Sequence, residues 1–452
     1  MRRLVALLAL TLAACGAETP APDLPVASRA VSPETALPPM RSFVAGHMGR
    51  PTRPNAQMAQ DFLDLAFRME SGRALPVMTR FDGPVRVRVA GPVPPTLGPD
   101  LDALIARLRA EAGIDVSRTD APDAEITVQA VPRAELRSAV PGAACFVVPG
   151  VSSWPGYRAA RGSAAVDWAA LQRRQRAAIF IPAEVAPQEI RDCLNEELAQ
   201  AMGPIDDLYR LPDSIFNDDN VNGPLTGFDM LMLRLYTSPE LANGMTRAQA
   251  AAIVPGLLAR LNPAGEVAGP PEGPDPSRAW ISAVQDALLP ANSAATRRSA
   301  AARAWAMARD GGYGAAPLGF SAYVYGRLML QADEGAAAAA FAAADRAYRS
   351  SPQTRQHVAV VAVQLAALAL SRHDETGVLR ITDEAMPLAT AAQNAAVLAS
   401  LMMIRAAALE RAGRGQEAAA VRMDSLGWAR YGFGAQANVR ARLREIAAIA
   451  AD

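Results

Sequence analysis

A proline- and glycine-rich break, PAGEVAGPPEGPDP at residues 263–276, divides the chain into two halves that cannot share a fold class. Before it, short segments carry strand patterns; after it, no stretch is credible as a strand. Val85-Arg86-Val87-Arg88-Val89 alternates with period two, as a half-buried strand does. Residues 177–181, AAIFI, are apolar throughout and read as a strand covered on both faces. Residues 124–131 and 145–148 supply two further strands. Met58, Phe62, Leu65 and Phe67 share one helical face within residues 55–70. Leu101, Leu104, Ile105 and Leu108 stripe a second helix that Gly113 ends. A longer helix follows the inner strand from about Pro187, so residues 55–262 are predicted to form an α+β domain.

The half from 277 to 452 is alanine-rich, and its pattern is helical throughout. Breaks near Gly311-Gly312, Gly335, Pro352, Asp374, Gly413 and Gly432 cut it into helices. Pairs with a period of about 34 residues predict an all-α helical-repeat domain, of tetratricopeptide-like units or, since the full consensus is absent, of generic helical hairpins. Tyr325, Gly335, Phe341, Ala344 and Pro352 stand about where that repeat keeps them. Ala407-Ala408-Leu409, Gly413-Arg414 and Glu417-Ala418 form a fainter second copy.

At the N-terminus, Arg2 and Arg3 precede an apolar run over residues 4–14, the layout of an export signal. The run is too short to span a bilayer, which takes ~20 apolar residues. It closes on Leu12-Ala13-Ala14-Cys15-Gly16, which resembles a bacterial lipobox. That resemblance implies removal of residues 1–14, lipidation of Cys15, and a membrane-tethered, periplasm-facing protein of the cell envelope. Residues 15–54, rich in Pro and Ala, read as a flexible spacer. The 45 basic residues, all arginine, equal the 45 acidic ones, for a formal charge of +0. Such a balance gives no field to attract nucleic acid or an anionic lipid surface. With Cys15 taken by lipid, Cys145 and Cys193 are expected to pair in an oxidising compartment. Closing a loop of that size contributes about 3–4 kcal/mol in the chain-entropy view.

Chemistry concentrates between Cys193 and Tyr236. On a helical wheel Ile190, Leu194, Leu198 and Ala201 fall in one apolar arc, and Glu197 falls inside it. A carboxylate there must hold a partner or keep its proton; Arg234 and Arg210 are the expected partners. The stretch Glu196-Glu197-Leu198-Ala199-Gln200-Ala201-Met202-Gly203-Pro204-Ile205-Asp206 is similar in layout to the metzincin motif H-E-x-x-H-x-x-G-x-x-H/D. Pro212-Asp213-Ser214-Ile215-Phe216 resembles the Met-turn, with Phe216 in the methionine place. The helix ending at Tyr236 resembles the metzincin C-terminal helix. The same residues resemble an uncharacterised family of proteobacterial putative lipoproteins, a domain of unknown function. Its pattern is E-E-x-x-Q-x-x-G, S-I-F-N-D, L-T-x-x-D and G-M-T, over roughly residues 55–250.

These resemblances imply a zincin-like domain with Glu197 in the general-base place and Glu196 and Asp206 in metal-ligand places. Glu196 and Gln200 stand where histidines would be, and an amide oxygen is a poor zinc ligand, so no catalytic zinc is expected. His47, His357 and His373 lie far off in sequence. Asp218, Asn220, Asn222 and Asp229 fit the spacing of a calcium loop. Asp229 also fits a capping box with Thr226. No cofactor is expected. The reading is a degenerate zincin-like domain joined to helical repeats, acting as a non-catalytic binding or scaffold protein for envelope proteins or peptides. The alternative is a divergent hydrolase using Glu197 as base with a non-zinc metal or none.

Overall fold

A computed structural model describes residues 37–43, 49–219, 221–269 and 274–451. Residues 1–14, Cys15, His47 and Asn220 lie outside them. Of the described residues, those within 44–321 and 350–354 form one compact unit, and those within 1–43, 322–349 and 355–452 form another. The division falls inside a helix, and the Pro/Gly-rich stretch lies within the first unit.

The first unit opens with α1 (Asn55–Phe67), β1 (Val85–Ala90), α2 (Leu97–Arg107) and the short β2 (Val116–Arg118). Past α2 the chain winds one π-helical turn to Gly113, whose φ of 69° lies in the left-handed region. There follow β3 (Ile126–Val131), α3 (Arg133–Ala139), β4 (Phe146–Pro149), α4 (Trp154–Ala160) and β5 (Ala177–Pro182). The strands make one mixed sheet in the order β2-β1-β3-β5-β4. β2, β1, β3 and β5 run parallel, and β4 lies antiparallel at the edge with Val147 opposite Ile179.

Every residue of β5 is buried, because both faces of the sheet are covered. Ala177, Ile179 and Ile181 point into the larger core with Leu194 and Leu198. Ala178 and Phe180 point the other way, against Leu136, Trp154 and Tyr157. The period-two alternation thus serves two cores, each using one face.

From β5 the chain enters α5 (Pro187–Met202), with proline in its first turn, where a missing N–H costs nothing. The helix stops at Gly203, where a Cβ would come within 2.5 Å of Leu233 Cδ2. A loop leads to α6 (Gly227–Tyr236) and α7 (Arg247–Leu261), each opened by a full capping box, Thr226 with Asp229 and Thr246 with Gln249. α8 (Arg278–Leu288) and α9 (Ala294–Gly311) complete this unit, apart from the start of α10 (Ala315–Met329).

The second unit holds the rest of α10 and α11 (Glu334–Arg349), α12 (His357–Ser371), α13 (Glu375–Ala391), α14 (Ala395–Arg411), α15 (Gly415–Phe433) and α16 (Gln436–Ala451). Three of its turns are copies of one another. His373, Gln393 and Gly413 take positive φ of 56°, 50° and 75°. The following residue in each, Asp374, Asn394 or Arg414, donates its N–H back to Ala369, Ala389 or Leu409. These are helix-ending Schellman turns. They recur every 20 residues (393 − 373 and 413 − 393), so a two-helix unit takes 40. That period is longer than the 34 expected from the glycine spacing. Gly335 and Gly432 prove to lie inside α11 and α15.

Residues 38–43, within the Pro/Ala-rich segment, are held along α15. The Arg41 N–H donates to the Gly427 carbonyl at 3.0 Å, and Arg41 pairs with Asp424. Phe43 stacks on Trp428 at 4.6 Å between centroids, and Arg430 donates to the Pro38 carbonyl at 2.7 Å.

Candidate functional site

α5 carries Glu196, Glu197 and Gln200, and the buried guanidinium of Arg174 holds its C-terminal end. Arg174 donates to the carbonyls of Gln200 and Ala201, both at 2.8 Å, and to the Tyr236 hydroxyl at 2.9 Å. It thereby supplies donors that the last turn of a helix lacks and places positive charge at the negative end of its dipole. Two turns nearer the start of α5, Cys193 is disulfide-bonded to Cys145, with Cα atoms 5.9 Å apart. The bond joins α5 to the residue that precedes edge strand β4.

Glu197 is 4% exposed, as its place in the apolar arc requires. The expected arginine partners are elsewhere. Arg234 is on the exposed face of α6. Arg210 contacts Asp61 at 2.9 Å, Asp64 at 2.8 Å and Asp275 at 2.6 Å. Asp61, completely buried on α1, is the better-placed attractor for that guanidinium. Glu197 instead accepts a hydrogen bond from the Val147 N–H of β4, and its Oε2 has no hydrogen-bond partner. Burial, and then the charges of Glu196 and Glu70, hold its carboxyl well above the usual range. No cation offsets that rise among the causes of the shift, which favours the protonated carboxyl.

Around Glu197 lies a larger set of acids than the α5 sequence alone suggests. Glu196, half-buried, is pushed up to about 8 by burial and then by Glu70, Asp218 and Asp192. Asp218, also half-buried, is raised to about 7 by burial and then by Glu70, Asp206 and Asp219. Asp207 is buried; Gln200 Nε2 donates to its Oδ2 at 3.0 Å while Oδ1 has no partner. Burial, then Glu70 and Glu196, raise Asp207 well above its usual range. Glu70 stands at the solvent edge just beyond α1. The protein packed around its carboxyl and the charge of Asp206 raise it, while a hydrogen bond with Asp207 works the other way.

Asp206 does not join the others as a ligand. Arg68 donates to its Oδ2 at 2.7 Å, and that partner opposes the rise that burial causes. The zincin arrangement is therefore not reproduced in donors: Glu196 is an acid, Gln200 gives its amide N–H to Asp207, and Asp206 is paired with Arg68. Among the described residues no three His, Cys, Asp or Glu side chains are placed to hold a metal ion. This donor set does not fit zinc.

The calcium-loop spacing is likewise used for something else. Asp229 accepts from the Ser214 hydroxyl at 2.5 Å, from the Ile215 N–H at 3.2 Å and from the Thr226 N–H at 2.7 Å. These bonds cap α6 and fix the loop before it, offsetting a burial that leaves Asp229 at about 6. Asn222 donates to the Pro212 carbonyl at 2.7 Å. Asp218 faces the acid cluster.

Sequence reasoning missed Glu70, Asp207, Arg68 and Arg174. The doublet Asp206-Asp207 was visible, but only the structure distinguishes the member paired with arginine from the one facing Glu196. Glu70 and Arg68 follow α1, and nothing local links them to α5.

Residues 55–256 match the family described as "Protein of unknown function (DUF2927)". No curated protein and no solved structure matches the chain.

Proposed function

We propose that this chain is a lipid-anchored envelope protein whose N-terminal half is a zincin-like domain without catalytic machinery, used for binding or scaffolding. The observation that carries the proposal is the state of Glu197. A general base must be ionised and must reach solvent or substrate. Glu197 is 4% exposed, and its burial and acidic neighbours favour the protonated form. The hydrolase alternative would require that same carboxyl to accept a proton.

The zincin-like reading is supported by the layout around α5. That helix leaves an inner parallel strand, with the one antiparallel strand at the edge beside β5. Gly203 ends it where the motif puts glycine. The bonded Cys145–Cys193 pair supports an oxidising compartment, and with it the envelope location and the lipid anchor on Cys15. The helices after α10 we read as stacked hairpins of 40 residues, nearer to the ~40–47 of other two- and three-helix repeats than to tetratricopeptide units. Such stacks present extended surfaces for protein or peptide partners.

The test is elemental analysis and a peptidase assay on the purified protein, with Glu196→Ala and Glu197→Ala beside it. The expected result is no stoichiometric metal and no hydrolysis in any of the three. Stoichiometric metal lost in either variant, or cleavage abolished by Glu197→Ala, would overturn the non-catalytic reading.

A further inference from the structure

In the second unit α11 and α13 both pack on α12 but scarcely on each other, and the gap between them is an open cavity of about 370 Å³. That volume lies within the ~300–1,000 Å³ of ordinary ligand pockets. The floor is one face of α12, where Val358, Ala362, Leu365 and Ala369 recur at helical spacing. Ala342 of α11 stands in one wall and Ile381 of α13 in the other. Alanines here leave the width that longer side chains would fill, and Ala342, Leu365, Ala369 and Ile381 stay only half-buried. From Val358 to Ala369 the floor is about 16 Å long at ~1.5 Å per helical residue, the reach of about five residues of extended chain.

The charges on the rim differ in their freedom. Arg349, the last residue of α11, donates to Asp345 at 2.8 Å and reaches across to Glu384 of α13 at 3.1 Å. Asp374 accepts from the Gly377 N–H at 2.8 Å, as the N-cap of α13. Arg372 pairs with Glu334 at 2.9 Å. Arg380 lines the cavity from an exposed position, near enough for its charge to act on Glu384. Among the described residues it makes no ion pair and no hydrogen bond, whereas each carboxylate on the rim has a partner. A cation entering the groove must displace an arginine; a carboxylate meets Arg380 and displaces nothing.

We propose that this groove binds an extended acidic segment of a partner protein, with apolar side chains on the α12 floor and a carboxylate on Arg380. The inference rests on the binding reading above and gives it a surface and a ligand chemistry. An extended chain sends successive side chains to opposite sides, so two apolar residues can meet the floor while the acidic one between them faces the rim. Main-chain recognition is not needed for this: the apolar contacts hold the segment, and the guanidinium selects its charge.

The experiment is fluorescence anisotropy on the full chain with a labelled, end-capped Ala-Leu-Glu-Leu-Ala peptide and its Ala-Leu-Gln-Leu-Ala counterpart, which keeps the shape and loses the charge. The glutamate peptide is expected to bind about tenfold more tightly, in line with a charge-assisted hydrogen bond. Arg380→Gln, at an exposed position, should remove that difference. Ala342→Leu, which fills the groove from its wall, should weaken both peptides by about tenfold. Arg346→Gln, exposed on α11 away from the cavity, should change neither. Equal binding of the two peptides, binding of neither, or affinities indifferent to Arg380→Gln and Ala342→Leu overturn the proposal. So does octanoate binding as tightly as the glutamate peptide, which would make the occupant a free acid, or self-association of the chain lost in Arg380→Gln, which would make it a second copy. Each of these leaves the non-catalytic reading standing, since that reading turns on Glu197; peptidase activity lost in Glu197→Ala removes it without touching this groove.

Discussion

Glu196, Asp218 and their neighbours make stability a function of pH with an unusual sign. Burial and acidic company raise Glu196 to about 8 and Asp218 to about 7, against ordinary values of 4.5 and 3.8. Between those limits the folded chain binds more protons than the unfolded one, so these groups stabilise at low pH and lose that contribution as pH rises. The melting temperature of the purified protein should therefore fall from pH 5 to pH 9, and Glu196→Gln should flatten the fall; a rise across that range would refute the assignment. Arg174 supports a different prediction. Its guanidinium serves two terminal carbonyls of α5 and the Tyr236 hydroxyl, and no carboxylate is among those partners. Arg174→Leu should cost about 3 kcal/mol in urea unfolding, through buried acceptors left unpaired. Part of this was legible in sequence: a carboxylate on the apolar arc of α5 had to be buried. Its solution was not, because choosing between an arginine and a retained proton depends on where Arg210 goes, and Asp61 on α1 decides that.

At the scale of elements, the joint between β4 and α5 is the one most open to test. The disulfide closes a sequence separation of 48 residues, for which the chain-entropy view gives about 4 kcal/mol. Cys145→Ser should lower stability by an amount of that order, read by chemical denaturation. Because Val147 donates to Glu197, the same variant should loosen that contact, visible as faster amide exchange at Val147. The repeated turns of the second unit support a cleaner measurement. At Gly413, φ is 75° and nothing lies within 4 Å of an added Cβ. Gly413→Ala should then cost about 1 kcal/mol from backbone conformation alone. The sheet was readable where its strands were long and patterned, as in β1 and β5. β2 has three residues and one buried position, too few to show a period. The turn at Ala392-Gln393-Asn394 went unseen for a related reason. It has no glycine or proline, and only its backbone angle and hydrogen bonds reveal that it copies the turn at Gly413.

Across the whole molecule, the change from mixed sheet to helices alone was plain in composition, while the borders of the compact units were not. The Pro/Gly-rich segment looked like a boundary because such residues disfavour regular structure. Asp275 in that segment nevertheless pairs with Arg210, and Arg278 just beyond donates to the Glu70 carbonyl at 2.9 Å. Those bonds tie it to the unit that it was expected to leave. The Pro/Ala-rich N-terminal segment likewise gave no sign that residues 38–43 would bind α15, since Phe43 and Trp428 are nearly the whole chain apart. Phe43→Ala removes the stack on Trp428, worth about 1 kcal/mol beyond lost area. It should lower the melting temperature by a few degrees and raise protease cleavage near residue 40.

That short clasp has a mechanical consequence. A chain held at residues 38–43 takes there a pull that comes from ahead of them. Load applied ahead of residue 37 first meets the contacts of Arg41 and Phe43 with Asp424, Gly427 and Trp428, and only later the sheet. In an optical-trap experiment pulling on the N-terminus, the first extension step should be the release of α15 from this clasp, and Phe43→Ala should lower the force at which it occurs.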